Sequence, residues 1–150
     1  MSDKKISFAK QVWDTLSALD VSAMVEKKGQ LNYLSWANAW TSLMEVYPDS
    51  SFAFLDDSVV SGGTVEVRVS VTVASDGNEL TRIMTLPVMD YKMKSVSDPT
   101  TRDISDARMR CLVKCIALFG LGLALYRGED IPREEAPKVA LATAEQKTFI

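Results

Sequence analysis

Thr64–Ala74 reads TVEVRVSVTVA, and the alternation within it decides the architecture. Val65, Val67, Val69, Val71 and Val73 fall on one side of an extended chain, while Thr64, Glu66, Arg68, Ser70 and Thr72 fall on the other, because successive side chains of a strand point to opposite faces. Five β-branched residues in one row give a sheet with one buried face and one polar face. Working outward, Asp76-Gly77 supplies the positive-φ position that a tight hairpin needs, so Leu80–Met89 reads as the returning strand. On the N-terminal side Gly62-Gly63 marks a turn, preceded by a shorter strand at Phe52–Leu55.

Helical spacing governs the regions on either side. Ser7 is placed to cap a first helix whose apolar positions are Phe8, Val12, Leu16 and Leu19, with Lys10 and Asp14 facing water. Asp20–Gly29 reads as a short, interrupted helical or irregular segment. A second helix follows Ser35, with Trp36, Trp40, Leu43, Met44 and Tyr47 on one stripe and Pro48 marking its end. Core packing is the expected role of Trp36 and Trp40. After Asp90 the stretch KMKSVSDPTTRD, residues 92–103, favours an exposed, mobile loop. A long helix then begins with Asp103, Ser105 and Asp106 in its first turn and a buried stripe of Met109, Leu112, Val113, Ile116 and Ala117. Gly120 or Gly122 stops it, and Leu121–Tyr126 is a candidate final strand.

The fold class expected is therefore α+β: an antiparallel sheet of three or more strands with a central hairpin, packed against a long amphipathic helix, with further helices N-terminal to it. Residues 1–130 make one core domain and 131–150 a polar tail. Within that tail Thr143–Gln146 has the form of a capping box. The helix it would start reaches the end of the sequence at Ile150, which leaves open a truncated chain or a tail ordered against a neighbour.

Composition narrows the chemistry. A chain of 150 residues with 47% hydrophobic and 25% charged content is ordinary for one globular domain. No apolar run reaches the roughly 18 residues that a membrane span needs, and Met1–Lys10 lacks the apolar region of a signal peptide, so a cytoplasmic protein is expected. Cys111 and Cys115 sit four apart in a helical pattern and read as small core residues rather than a disulfide or half of a metal site. The chain has no histidine, which removes Ser-His and Cys-His nucleophile pairs and the HExxH zinc motif. Neither a G-x-x-x-x-G-K-[ST] loop nor GxGxxG occurs, so ATP-driven or dinucleotide chemistry is not expected.

Charge is unevenly spread. From Arg82 to Lys114 seven Lys or Arg stand against four Asp or Glu, whereas residues 1–81 carry six against eleven and residues 115–150 four against five. Lys92, Lys94 and Arg102 lie on the expected loop, and Arg110 and Lys114, one helical turn apart, share a face that could track a phosphate backbone. Arg108 lies round the helix from that pair, where a neighbouring element or subunit could meet it. Arg68 and Arg82, on antiparallel strands, would extend the basic surface across the polar face of the sheet. Tyr91 is placed to stack on a base or to fill a strand end.

Two other readings compete. Charge clusters are commonly the solvated faces of loops and helices, and a structural assembly protein that ignores DNA would carry the same pattern. Alternatively, Pro48-Asp49 followed by Glu66-Val67-Arg68 is similar to the PD…(D/E)xK arrangement of magnesium nucleases, with Arg68 where a lysine is expected.

Three segments resemble a known family: LNYLSWANAW from Leu31, LPVMDYKMKSV from Leu86 and ARMRCLVKCIALFGLGLALYRGED from Ala107. In this order they resemble the Sak-type phage single-strand annealing proteins, themselves similar to the wider Rad-type recombination mediators. The resemblance implies an ATP-independent protein, without cofactor or covalent chemistry, that forms rings or filaments, holds single-stranded DNA in a basic groove and pairs it with its complement. It also implies a bacterial cytoplasm as the place of action, and partners such as a phage exonuclease or a host single-strand-binding protein. Lys114, five residues before Phe119-Gly120, matches a basic residue of that groove, and Ala117 stands where the Rad-type relatives often carry another.

Overall fold

The computed structural model describes residues 6–28, 31–90, 92 and 94–126. The chain runs through α1 (Phe8–Ser17), a 3-10 turn at Ser22–Met24, β1 (Val25–Lys28), β2 (Leu31–Leu34), α2 (Trp36–Val46) and β3 (Ser51–Val59). It continues through a 3-10 turn at Ser61–Gly63, β4 (Val65–Ser75), β5 (Asn78–Pro87), α3 (Thr101–Ala117) and a 3-10 turn at Leu123–Tyr126. The class is α+β with antiparallel sheets, as the alternation and the helical stripes imply.

All five β4 valines are buried, and β4 is the middle strand of an antiparallel sheet ordered β3-β4-β5. Full burial of each contributes roughly 1.5–3 kcal/mol. The hairpin to β5 turns on two residues, Asp76 at φ 53° and Gly77 at φ 82°, the left-handed pair whose twist matches that of the flanking strands. Between β3 and β4 the register shifts from Leu55↔Arg68 to Ser58↔Glu66, so Asp56 and Asp57 together oppose Val67 in a β-bulge.

α3 covers the valine face. Ala107, Cys111 and Cys115 recur every fourth residue on its buried side. The thiols of Cys111 and Cys115 donate to the carbonyl oxygens of Met84 and Arg82, both at 3.3 Å. Ser35 caps α2, which buries Leu43 and sets Trp40 edge-on to Phe52 at 5.0 Å. Ser7 caps α1, which buries Val12 and Leu16. The chain after α3 closes onto α1 at Gly120, where φ is 112° and an added Cβ would stand 3.0 Å from the Ser17 nitrogen. No helix among the described residues is long and apolar enough to cross a membrane.

The structure departs from the sequence expectations at several places. Asp20–Gly29 is not wholly irregular: Val25–Lys28 pairs with Leu31–Leu34 in a two-stranded hairpin, four residues a side and too short for periodicity to reveal. α3 takes in Thr101 and Arg102 from the expected loop, because Thr100 is its N-cap, and Asp103, in the first turn as expected, completes a capping box. Arg102 is therefore a helix residue. The 92–103 connection is tied to the sheet through Met89↔Ser95 and Thr64↔Ser97 bridges, rather than running free. No strand forms over Leu121–Tyr126: Gly120 and Gly122 both take positive φ and wind the backbone, and Leu123–Tyr126 is a 3-10 turn. Trp36 is 45% exposed rather than core, and Met109 is half-buried. The capping-box reading at Thr143–Gln146 lies outside the described residues.

Candidate nucleic-acid interface

The basic side chains of α3 divide by flank. Arg108, Cys111 and Lys114 are three residues apart, so each is rotated about 60° from the one before. Arg108 points toward β3, where its Nη2 donates to Asp57 Oδ2 at 2.8 Å and its guanidinium lies 5.6 Å from the Phe54 ring centroid. Cys111 points toward β5 through Met84. Lys114 continues in the same direction, which puts it on the β5 shoulder of the helix, with Arg110 one turn earlier on that shoulder. Arg110 is exposed, and the Lys114 ammonium lies 5.3 Å from the Tyr126 ring centroid.

Strand register separates the two arginines of the sheet. Arg82 pairs with Val71 and so lies on the valine face, while Arg68 pairs with Thr85 and Leu55 on the open face. The expectation that both extend one polar face is thus corrected: with a period of two, Arg68 and Arg82 stand in rows of opposite parity. From that face Arg82 reaches the C-terminal end of α3, 5.8 Å from the Phe119 ring centroid. It therefore joins Arg110 and Lys114 on the β5 shoulder. Its guanidinium also donates to its neighbour's carbonyl, Thr81 O, at 3.2 Å.

Lys92, Lys94 and Arg102 belong to the opposite end of α3. The twelve residues from Arg102 to Lys114 span about 18 Å of helix. Asp90 organises the connection there: its Oδ1 accepts the backbone N–H of Lys92 at 2.8 Å and of Lys94 at 3.0 Å. The Lys94 amide foremost holds the Asp90 carboxyl below its ordinary range, against the opposing effect of burial. Both lysine side chains are exposed. Arg102 pairs with Asp106 at 3.8 Å in a well-exposed contact of the kind that contributes little. Tyr91 lies outside the described residues.

The carboxylates of the nuclease reading do not meet. Asp49 precedes β3, whose start at Ser51 pairs with Thr72, whereas Glu66 lies six residues back along β4, about 20 Å away at strand rise. Among the described residues no group of three or more His, Cys, Asp or Glu side chains could hold a metal ion. A cleft of about 240 Å³ between α1 and the last 3-10 turn, lined by Trp13, Asp20 and Leu123 among others, includes none of the basic residues above.

Sequence reasoning missed Phe119 and Tyr126, the two rings that carry cations on the β5 shoulder. Arg82 and Phe119 are far apart in sequence, and only the sheet register and helix direction bring them together. A family model for the Sak Single Strand Annealing Protein matches residues 10–148. No curated protein matches the chain.

Proposed function

The chain belongs to the Sak single-strand annealing protein family, a family of recombination proteins, and from that premise we propose that it binds single-stranded DNA along the β5 shoulder of α3 and pairs it with its complement without ATP. The observation that carries this reading is the convergence of Arg82, Arg110 and Lys114 on one flank, with two of the three cations laid over aromatic rings. Guanidinium and ammonium groups neutralise phosphates without reading bases, so the contact is tolerant of sequence. Lys92, Lys94 and Arg102 extend the track toward the other end of the helix. Arg108 is engaged by Asp57 and serves packing rather than phosphate.

Mechanistically the task is physical. Two strands resist pairing through phosphate repulsion and through structure within each strand, and a basic track relieves both while base edges stay free. One copy offers a handful of cations and binds weakly. A ring or filament, which resemblance to the Rad-type mediators also implies, repeats the track and makes successive contacts intramolecular. Action in a bacterial cytoplasm, beside a phage exonuclease or a host single-strand-binding protein, completes the proposal.

The test uses complementary labelled oligonucleotides mixed with protein, without nucleotide or metal, and follows duplex formation by energy transfer. Acceleration over the protein-free control is expected, and its absence overturns the reading. Shortened labelled strands with added magnesium, abolished by Glu66→Ala, would establish the nuclease instead. Assemblies whose light scattering ignores single-stranded DNA at low salt would mark a purely structural protein.

A further inference from the structure

Among the described residues, the order β3-β4-β5 leaves the outer edges of β3 and β5 without a strand partner, and neither edge is blunted along its whole length. β5 pairs with β4 through ten consecutive residues without a bulge, and its segment Leu80–Leu86, LTRIMTL, holds one charge and no proline. Ile83, at its centre, is 54% exposed. On β3 the segment Ser51–Leu55, SFAFL, is uncharged and regular, and the bulge comes only after it, at Asp56 and Asp57. Soluble proteins ordinarily guard such edges with lysine, proline, bulges or a covering element, because unpaired N–H and C=O groups template another strand.

We infer that copies of this chain join edge to edge, the β5 edge of one continuing its sheet onto the β3 edge of the next. The inference rests on the assembly proposed above and names its interface. Charge selects the pairing. The exposed cation of β5 is Arg82, while β3 carries the exposed Asp56 beside Asp57. Joining unlike edges avoids like-charge contact, whereas β5 against β5 sets Arg82 near its own copy and β3 against β3 does the same for Asp56. Geometry agrees. β3 and β5 run in the same direction on either side of β4, so a second copy adds β3 alongside β5 as a parallel neighbour. The contact is then heterologous and head-to-tail, the kind that closes into a ring or grows into a filament rather than stopping at two. Each copy inside such an array has both edges satisfied. The β5 shoulders of α3 follow one another at a fixed interval along it.

Two single-cysteine variants test this. Ala53→Cys and Ile83→Cys each place a thiol on the open face, one on each edge strand, in the row shared with Ser70. The native Cys111 and Cys115 are buried and leave the background low. The variants are mixed before assembly and treated with a short bismaleimide. A covalent dimer in the mixture, with little in either variant alone, is the expected result. A dimer from Ile83→Cys alone shows a two-fold β5 contact and overturns the inference. So does the absence of any dimer from a mixture that sediments as an oligomer and anneals DNA, an outcome that leaves the proposed function standing. In an independent arm, Ile83→Lys raises the protein concentration at half-assembly by on the order of tenfold. An unchanged value with native circular dichroism counts against the interface.

Discussion

Cys111 and Cys115 show how far one side chain's surroundings can be followed to a measurement. Their spacing is legible in the sequence as one face of a helix; that the thiols donate to β5 carbonyls is not, because their partners, Arg82 and Met84, lie about thirty positions away. Burial foremost pushes the Cys111 thiol up to about 12 and the Cys115 thiol up to about 11. The unfolded chain ionises these thiols near pH 8.5 while the folded one keeps its protons. Stability that is full below that pH is therefore lost as pH rises toward 11, at about 1.4 kcal/mol per pH unit for each thiol. Urea titrations at pH 8, 9 and 10 check this: the fall should be shallower in the Cys111→Ala/Cys115→Ala variant, and equal slopes refute it. Arg108 makes the complementary case. Its cation was visible in the sequence, but its counter-charge, Asp57, became a neighbour only through a bulge that no local pattern announces. Asp57 Oδ1 and Arg108 Nε are buried without partners, so the pair is imperfectly satisfied, and Arg108→Ala should cost only about 1–2 kcal/mol. The same variant should leave the salt dependence of DNA binding unchanged, which separates a packing role from a phosphate contact.

Elements were legible where a period ran long enough to be counted. β4 shows five alternations, and its burial follows them residue by residue. β1 and β2 give two each, and their pairing was invisible. Capping is intermediate in this respect. Thr100-x-x-Asp103 is a capping box with aspartate in the place usually taken by glutamate or glutamine, and the abundance of other hydroxyl and acidic residues nearby hid which one begins the helix. The Thr100 Oγ1 accepts the Asp103 amide at 3.1 Å, and Asp103 Oδ2 accepts the Thr100 amide at 3.0 Å. Thr100→Ala removes the first of these and should lower stability by about 1 kcal/mol. A drop in the urea midpoint without a change in slope checks it. Because α3 positions both the Arg102 end and the Lys114 end of the proposed track, fraying of its first turn should weaken contacts at Lys92, Lys94 and Arg102 before those at Lys114.

For the molecule as a whole, the charge excess between Arg82 and Lys114 was plain in the sequence, but its partition was not. Folding sends Arg108 to Asp57, leaves Arg68 on the far face of the sheet, and gathers Arg82, Arg110 and Lys114 on one shoulder, with Arg110 and Lys114 about 12 and 18 Å along α3 from Arg102. Linear order along the chain carries none of this, since it depends on helix phase and strand parity taken together. The partition makes a quantitative claim about DNA. For a single strand, each phosphate neutralised contributes about 0.7 to the slope of log K against log salt. Arg82→Ala, Arg110→Ala and Lys114→Ala should each lower that slope by about this amount. Arg68→Ala should leave it unchanged, because its side chain emerges from the opposite face. If one strand follows the whole helix, adding Lys92→Ala to the shoulder variants lowers the slope further on a long oligonucleotide and not on one too short to reach both ends. A slope that responds to Arg68 instead would move the DNA to the open face of the sheet. Equal responses on both oligonucleotides would confine it to one end of α3.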